Sequence, residues 1–312
     1  MIEVLNAGVA LLVVGLALWT VVVRDTFAAA IGFVAYGLLL TLVWVQLRGI
    51  DVALTEAAIG GGLTGFLLIR AAARLRHTEA AARTERPRAA LRLAAALVSC
   101  LLSAAIALAV LALPDPAPSL APQVAASIAA TGVGNPITAV LLAFRATDTL
   151  LEAIVLLFAL IGVWSLAPDR AWGGRPGPRY SADPDGMFAY LARVLPPIGI
   201  VVGAYIFWIG ADLPGGKFQG ATLLAAMWLL TVMAGLADAP PVSRRWLRVA
   251  LVAGPVVFIA IGALGVATAG AFLAYPEEVA KSLIIVIELA LLPSLAVTLA
   301  LLVAGAPQRE EG

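Results

Sequence analysis

Nine apolar stretches leave this chain few ways to fold, because each approaches the roughly 17 to 25 residues that a helix needs to cross a bilayer. They run over 4–23, 27–47, 52–69, 91–113, 149–166, 195–210, 220–237, 249–273 and 283–304. In hydrocarbon every backbone N–H and C=O must find its partner inside the protein, and an apolar run of this length does so as a helix. We therefore read an all-α integral membrane protein with about nine transmembrane helices in two bundles. Composition agrees, with 62% hydrophobic and 12% charged residues, against roughly 45 to 50% apolar and 25% charged in soluble domains. The first stretch is long and lacks a small-residue cleavage site before a soluble domain, so we expect a retained helix and not a signal peptide.

Charge distribution sets the expected orientation. Arginines crowd the stretch 70–92, recur at Arg170, Arg175, Arg179 and Arg193, and recur again at Arg244, Arg245 and Arg248. With nine crossings these fall on one side together with Arg24 and Arg309, giving 16 of the 20 Lys and Arg there. Arg48, Arg145, Lys217 and Lys281 fall on the other. The excess of cationic residues in cytoplasmic loops then puts the C-terminus in the cytoplasm and the N-terminus outside, in a cell inner membrane. A net charge of +1 gives no reason to expect nucleic acid. The single cysteine, Cys100, lies in an apolar run, and the single histidine, His77, in the Arg-rich loop. Neither forms part of a ligand set, so we expect no metal and no cofactor. Phosphate-binding glycine loops, dinucleotide fingerprints and Ser/His/Asp sets are absent from the sequence.

Three acids stand inside apolar runs: Glu56, Glu152 and Glu288. An acid near the bilayer centre costs about 2.5 to 3.5 kcal/mol on insertion scales, so such residues face protein or water and mark ion or proton paths. Glu56 is followed by Gly60, Gly61 and Gly62, with Gly65 four residues beyond Gly61. Small residues at that spacing admit a close helix neighbour, and three consecutive glycines weaken the helical ladder. The glycines alone fit a packing seam; an acid beside a deformable turn fits a cation or proton site. Asp51 reads as an N-terminal helix charge.

Arg145, Asp148 and Glu152 share a helical face, with Arg145 and Asp148 able to pair near the membrane surface and Glu152 lying deeper. Lys281 and Glu288 also share a face, although Glu277 and Glu278 are alternative partners for Lys281. Glu288 then serves either a helix-to-helix hydrogen bond or an ion path. Pro214, Gly215 and Gly216, flanked by Asp212 and Gln219, predict a tight turn with exposed backbone groups. The Pro-rich stretch 114–148 contains a short apolar piece, Ile137 to Phe144, that we expect to be re-entrant or interfacial. The Gly- and Pro-rich stretch 167–186 reads as a linker between the two bundles. Trp208, Trp228 and Tyr275 read as interfacial aromatic residues.

Three of these stretches carry a resemblance. Asp51 to Gly60 (DVALTEAAIG) resembles the signature of the MbhD-like domain, which ends the large antiporter-like chain of Mrp cation/proton antiporters and stands as a separate subunit in membrane-bound hydrogenases. Gly134–Asn135–Pro136–Ile137–Thr138 with Phe144 to Glu152 (FRATDTLLE) resembles the MbhE-like segment that follows it. Leu213 to Gly220 (LPGGKFQG) resembles the hallmark of the MrpB-type subunits of Mrp antiporters, with Lys217 in place of a third glycine. The resemblance implies a fusion: an MbhD-like three-helix module over 1–72, an MbhE-like module over 73–180 with two helices and the re-entrant piece, and a four-helix MrpB-like domain over 181–312. It implies a membrane subunit of a multisubunit Na⁺/H⁺ antiporter, partnered by large antiporter-like and small membrane subunits. Glu56, Asp148 and Glu152 are the acids it carries over, and Pro214, Gly215 and Phe218 belong to its third motif. A redox-driven ion-pumping complex and a scaffold between antiporter-like subunits remain as alternatives. In none of these is the chain expected to be an enzyme on its own.

Overall fold

The computed structural model describes residues 2–82, 88–116, 118–180, 183 and 185–308, with the backbone path alone for 2, 3 and 76–82. Arg76, His77, Arg83, Arg86 and Arg309 lie outside the described side chains. The chain begins with α1 (Ile2–Val22) and α2 (Thr26–Gln46). A third span starts as α3 (Ile50–Thr55), passes through a π-helical segment (Glu56–Thr64) and continues as α4 (Gly65–Ala82). After α5 (Ala89–Leu111) come two short arms: α6 (Ala121–Ser127) with a 3₁₀ turn (Ile128–Thr131), and α7 (Pro136–Ala139) with a second π-helical segment (Val140–Phe144). The arms meet at 87°. The rest is α8 (Ala146–Ser165), α9 (Met187–Ile209), α10 (Lys217–Met233), α11 (Arg245–Ala269) and α12 (Ala280–Ala304). Among the described residues eight helices are long and apolar enough to cross a membrane, and α10 falls just short at 17 residues.

Contacts between links decide how the chain alternates. At one end, Gly134 N–H donates to Ala211 C=O, Gly215 N–H donates to Asp51, and Lys281 pairs with Asp212. At the other end, Val242 N–H donates to Gly174 C=O and the Arg70 guanidinium donates to Val303 C=O. There, too, the two-residue strand β1 (Arg175–Pro176) pairs antiparallel with β2 (Pro307–Gln308). These two sets alternate only if α10 crosses and the bent pair does not. A 17-residue helix rises about 26 Å, near the lower limit for a span. Among the described residues the count is then nine crossings, the number expected from the sequence.

Packing divides these helices into two groups. In the first, α2 lies between α1 and the third span. Glycines set the approach: a Cβ on Gly37 would stand 3.0 Å from the Gly61 backbone N, and one on Gly65 would meet Val34 at 2.4 Å. This is the close helix seam that small residues permit. In the second group the bent pair and α8 share a core with α10, α11 and α12, built on Leu142, Phe258, Ile284, Ile287 and Leu291, all fully buried. The seam between the groups therefore lies ahead of α8 and not in 167–186, because α8 buries Leu150, Ala153 and Leu160 against helices that follow that stretch. Leu63 of the π-helical segment packs on Ala225, Leu299 and Ala300, joining the two groups. No residue of α5 is buried.

The aromatic expectations divide as well. Trp208 is exposed, whereas Trp228 packs on the buried Leu247 and Leu301 cluster. Tyr275 packs on the main core with its hydroxyl buried and without a hydrogen-bond partner. That burial pushes its pKa up to about 12.

Candidate functional site

Local sequence explains why the third span changes pitch. Asp51 stands in the first turn of α3, where the helix dipole favours an acid. The run Glu56 to Thr64 (EAAIGGGLT) then winds as a π-helix, a form that clusters at functional sites. Glu56 turns back over this segment: a Cβ on Gly60 would stand 2.1 Å from Glu56 Oε1, and one on Gly37 of α2 3.3 Å from it. Glycine at both positions is what gives the carboxylate room. The side chain is half-buried. Among the described residues, none makes a hydrogen bond or ion pair with this carboxylate.

The three motifs singled out in the sequence meet at one end of the bundle. Asn135 caps α7 by accepting from Ile137 N–H at 2.9 Å, and Pro136 follows it at the first helical position. Its Nδ2 faces Asp51 Oδ1 at 3.2 Å, Gly210 C=O at 3.2 Å and Leu213 C=O at 3.0 Å. Asp51 Oδ1 also accepts from Gly215 N–H at 3.0 Å. Gln219 Nε2 donates to Thr55 Oγ1 at 3.0 Å. The turn that makes this possible needs glycine: Gly215 has φ +152°, and a Cβ there would stand 2.5 Å from Ile206 C=O.

Asp51 is thus more than a helix-end charge, because it clamps segments 84 and 164 residues away. Replacing Asp51 with Ala leaves the N–H of the buried Gly215 unpaired, which costs about 1 to 3 kcal/mol. A lowered melting temperature of the purified protein in detergent checks this, whereas Asp51→Asn, which keeps an acceptor oxygen, should lose less.

Below this clamp lies a cavity of about 360 Å³ whose walls include Asp51, Thr55, Glu152, Lys217, Gln219 and Glu288. Lys217 is 6% exposed and Glu288 3% exposed, with Nζ and Oε1 3.8 Å apart. The Gly215–Gly216 turn passes bare beside Glu288, since even a Cβ on Gly216 would stay 4.0 Å from Glu288 Oε1. Glu152 occupies a more open part of the wall. A second cavity, of about 170 Å³, touches Glu288 from the side of Asp212 and Lys281. Glu288 therefore lines both cavities.

The partners differ from those expected for Lys281 and Glu288. Lys281 does not use Glu277, Glu278 or Glu288; it donates to both carboxylate oxygens of Asp212, at 2.7 and 2.8 Å, because the loop after α9 brings Asp212 across the helix start. That contact holds the Asp212 carboxyl below its usual range. A depressed carboxyl stabilises the fold above the unfolded-state pKa and loses that contribution as pH falls through the folded value. The effect is small here because the pair is exposed.

Arg145 and Asp148 pair at 2.5 Å on an exposed surface, so Asp148 lies away from the buried charges. Glu152 and Glu288 share the cavity, and Glu56 does not line it. Phe218 packs against the main core beside Lys217. Sequence reasoning missed Lys217 as a site residue. The available signal was its position: a cation opening a helix opposes the dipole, so it needs a carboxylate from elsewhere.

Two family models match the chain. The MbhD model, which describes one subunit of the MBH complex, covers residues 11–77, and the domain related to the MnhB subunit of Na⁺/H⁺ antiporter covers residues 187–307. The chain joins an MbhD-type module to an MnhB-related one. The MbhD-type module contains most of α1 with α2 and the third span, and the MnhB-related module contains α9 to α12. The stretch 78–186 lies between them. No curated protein matches the chain. Among solved structures, a chain in the structure of the Mrp complex from Dietzia sp. DQ12-45-1b is similar, with a TM-score of 0.72 and 22% identity. The similarity covers 97% of this chain and 35% of that one, so this chain spans about a third of its length. The clamp and the charged cavity therefore lie where the MbhD-type and MnhB-related modules touch.

Proposed function

We propose that this chain is a non-catalytic membrane subunit of a multisubunit Na⁺/H⁺ antiporter-type complex, and that it contributes part of an ion or proton path. The observation that carries this reading is the Lys217–Glu288 pair, held almost fully buried beside a cavity that Asp51 and Glu152 also line, at the junction of the two modules. Buried ion pairs are poor stabilisers, so one retained in a membrane bundle fits a functional role better than a structural one. A cation or proton arriving at Glu288 competes with Lys217 for the same carboxylate. Glu152 offers the displaced ammonium a second acid in the same cavity. Glu56, beside its glycine segment, is a separate acid that can take up or release a charge next to α2. The 78–186 stretch acts as the MbhE-like module its motifs resemble. The Arg-rich end faces the cytoplasm, in keeping with the bias of cytoplasmic loops.

The test is to purify the full-length chain from its native membrane and to assay Na⁺/H⁺ exchange in everted vesicles. We expect large antiporter-like and small membrane subunits to co-purify, and exchange to need all of them. Recovery of the chain alone, with exchange unaffected by its deletion, overturns the reading. The MbhD-type match supports a second reading, in which the complex is redox-driven. Cofactor-bearing subunits in the same preparation would select it.

A further inference from the structure

A groove on the opposite side of the third span from α2 has no place in the ion path. Its inner part is an apolar cavity of about 400 Å³ between the π-helical segment and α10, bounded by Leu63, Phe66, Leu229, Met233, Leu299 and Val303. Its outer part is a basic cavity of about 310 Å³ at the Arg-rich end, bounded by Leu67, Arg70, Arg74, Gly177, Val303 and Gln308. Val303 forms part of both walls. Leu63, Phe66, Leu67, Arg70 and Arg74 follow at three- and four-residue spacing, so one helical stripe runs from apolar to cationic. Among the described residues, none that lines either cavity is acidic.

We propose that this composite groove holds one phospholipid with a net-anionic headgroup. Its acyl chain fills the apolar part and its phosphate meets Arg70 and Arg74. Arg70 is fixed by its bond to Val303 C=O and keeps further guanidinium N–H groups for an anion. Arg74 is exposed and, among the described residues, has neither a hydrogen bond nor an ion pair. Basic pockets between spanning helices are suited to anionic headgroups. A free anion would leave the adjoining apolar space without an occupant. The lipid would wedge between the MbhD-type and MnhB-related modules, closing a gap that side chains leave open. This inference does not depend on the ion-path reading.

Lipid retention by the full chain in detergent, read by native mass spectrometry and by melting temperature, tests the proposal. Phosphatidylglycerol, phosphatidylcholine and inorganic phosphate are added separately to the unmodified protein, to Arg74→Gln and to Ala226→Phe, whose new ring fills the apolar part. We expect the unmodified protein to retain one phosphatidylglycerol about fivefold more strongly than phosphatidylcholine, Arg74→Gln to lose that preference, and Ala226→Phe to retain neither. Equal retention of both lipids by the unmodified protein and Arg74→Gln overturns the proposal. So does undiminished retention by Ala226→Phe, or stabilisation by inorganic phosphate as large as that by phosphatidylglycerol.

Discussion

Glu288→Gln is expected to lower the stability of the protein by about 3 to 5 kcal/mol and to abolish exchange by the assembled complex, because it leaves Lys217 buried without its nearest carboxylate. The loss should be visible as a large drop in melting temperature followed by tryptophan fluorescence in detergent. A double variant separates structure from function. Lys217→Met with Glu288→Leu removes both charges and puts apolar volume in their place, which in buried pairs is often neutral or stabilising. We expect the double variant to regain most of the lost stability and none of the lost exchange. Normal exchange by a stable double variant would show that the pair is structural only.

Glu56→Gln is expected to behave in the opposite way. Its carboxylate has no hydrogen-bond or ion-pair partner among the described residues, so neutralising it should change stability by no more than about 0.5 kcal/mol. Exchange in vesicles should nevertheless be abolished with assembly intact. Gly60→Ala offers a second route to the same outcome without altering any charge. The added Cβ would lie 2.1 Å from Oε1 and force the carboxylate out of its present position. Exchange at the normal rate in both variants rejects an ionic role for Glu56. Normal exchange in Glu56→Gln with a defect only in Gly60→Ala identifies the segment as a packing element.

The spans were legible because burial in lipid imposes one requirement, internal backbone hydrogen bonding, on every residue of a long apolar run. Even the short α10 was found that way. The glycines after Glu56 correctly signalled a weakened ladder, and the structure resolves that weakness as a π-helix. The pairing of charges was much less legible. Helical periodicity relates residues on one helix, so it offered Lys281 only partners from its own segment. Its actual partner, Asp212, comes from another link 69 residues away. Lys217 was obscured for the same reason: Glu288 reaches it from α12, a neighbour that sequence spacing does not identify. Where the interaction partners are far apart in the chain, composition and period set the elements but not which faces meet.

Asp51 joins Asn135 and Gly215 by accepting from both through one carboxylate oxygen, with little slack. A change of side chain at Asp51 or Asn135 strands a polar group on its partners, and any side chain at Gly215 would press on Ile206 C=O, so single substitutions there carry a penalty that a matched second change can relieve. In descendants of this chain, drift at those three positions should be correlated, with replacements arriving together or not at all.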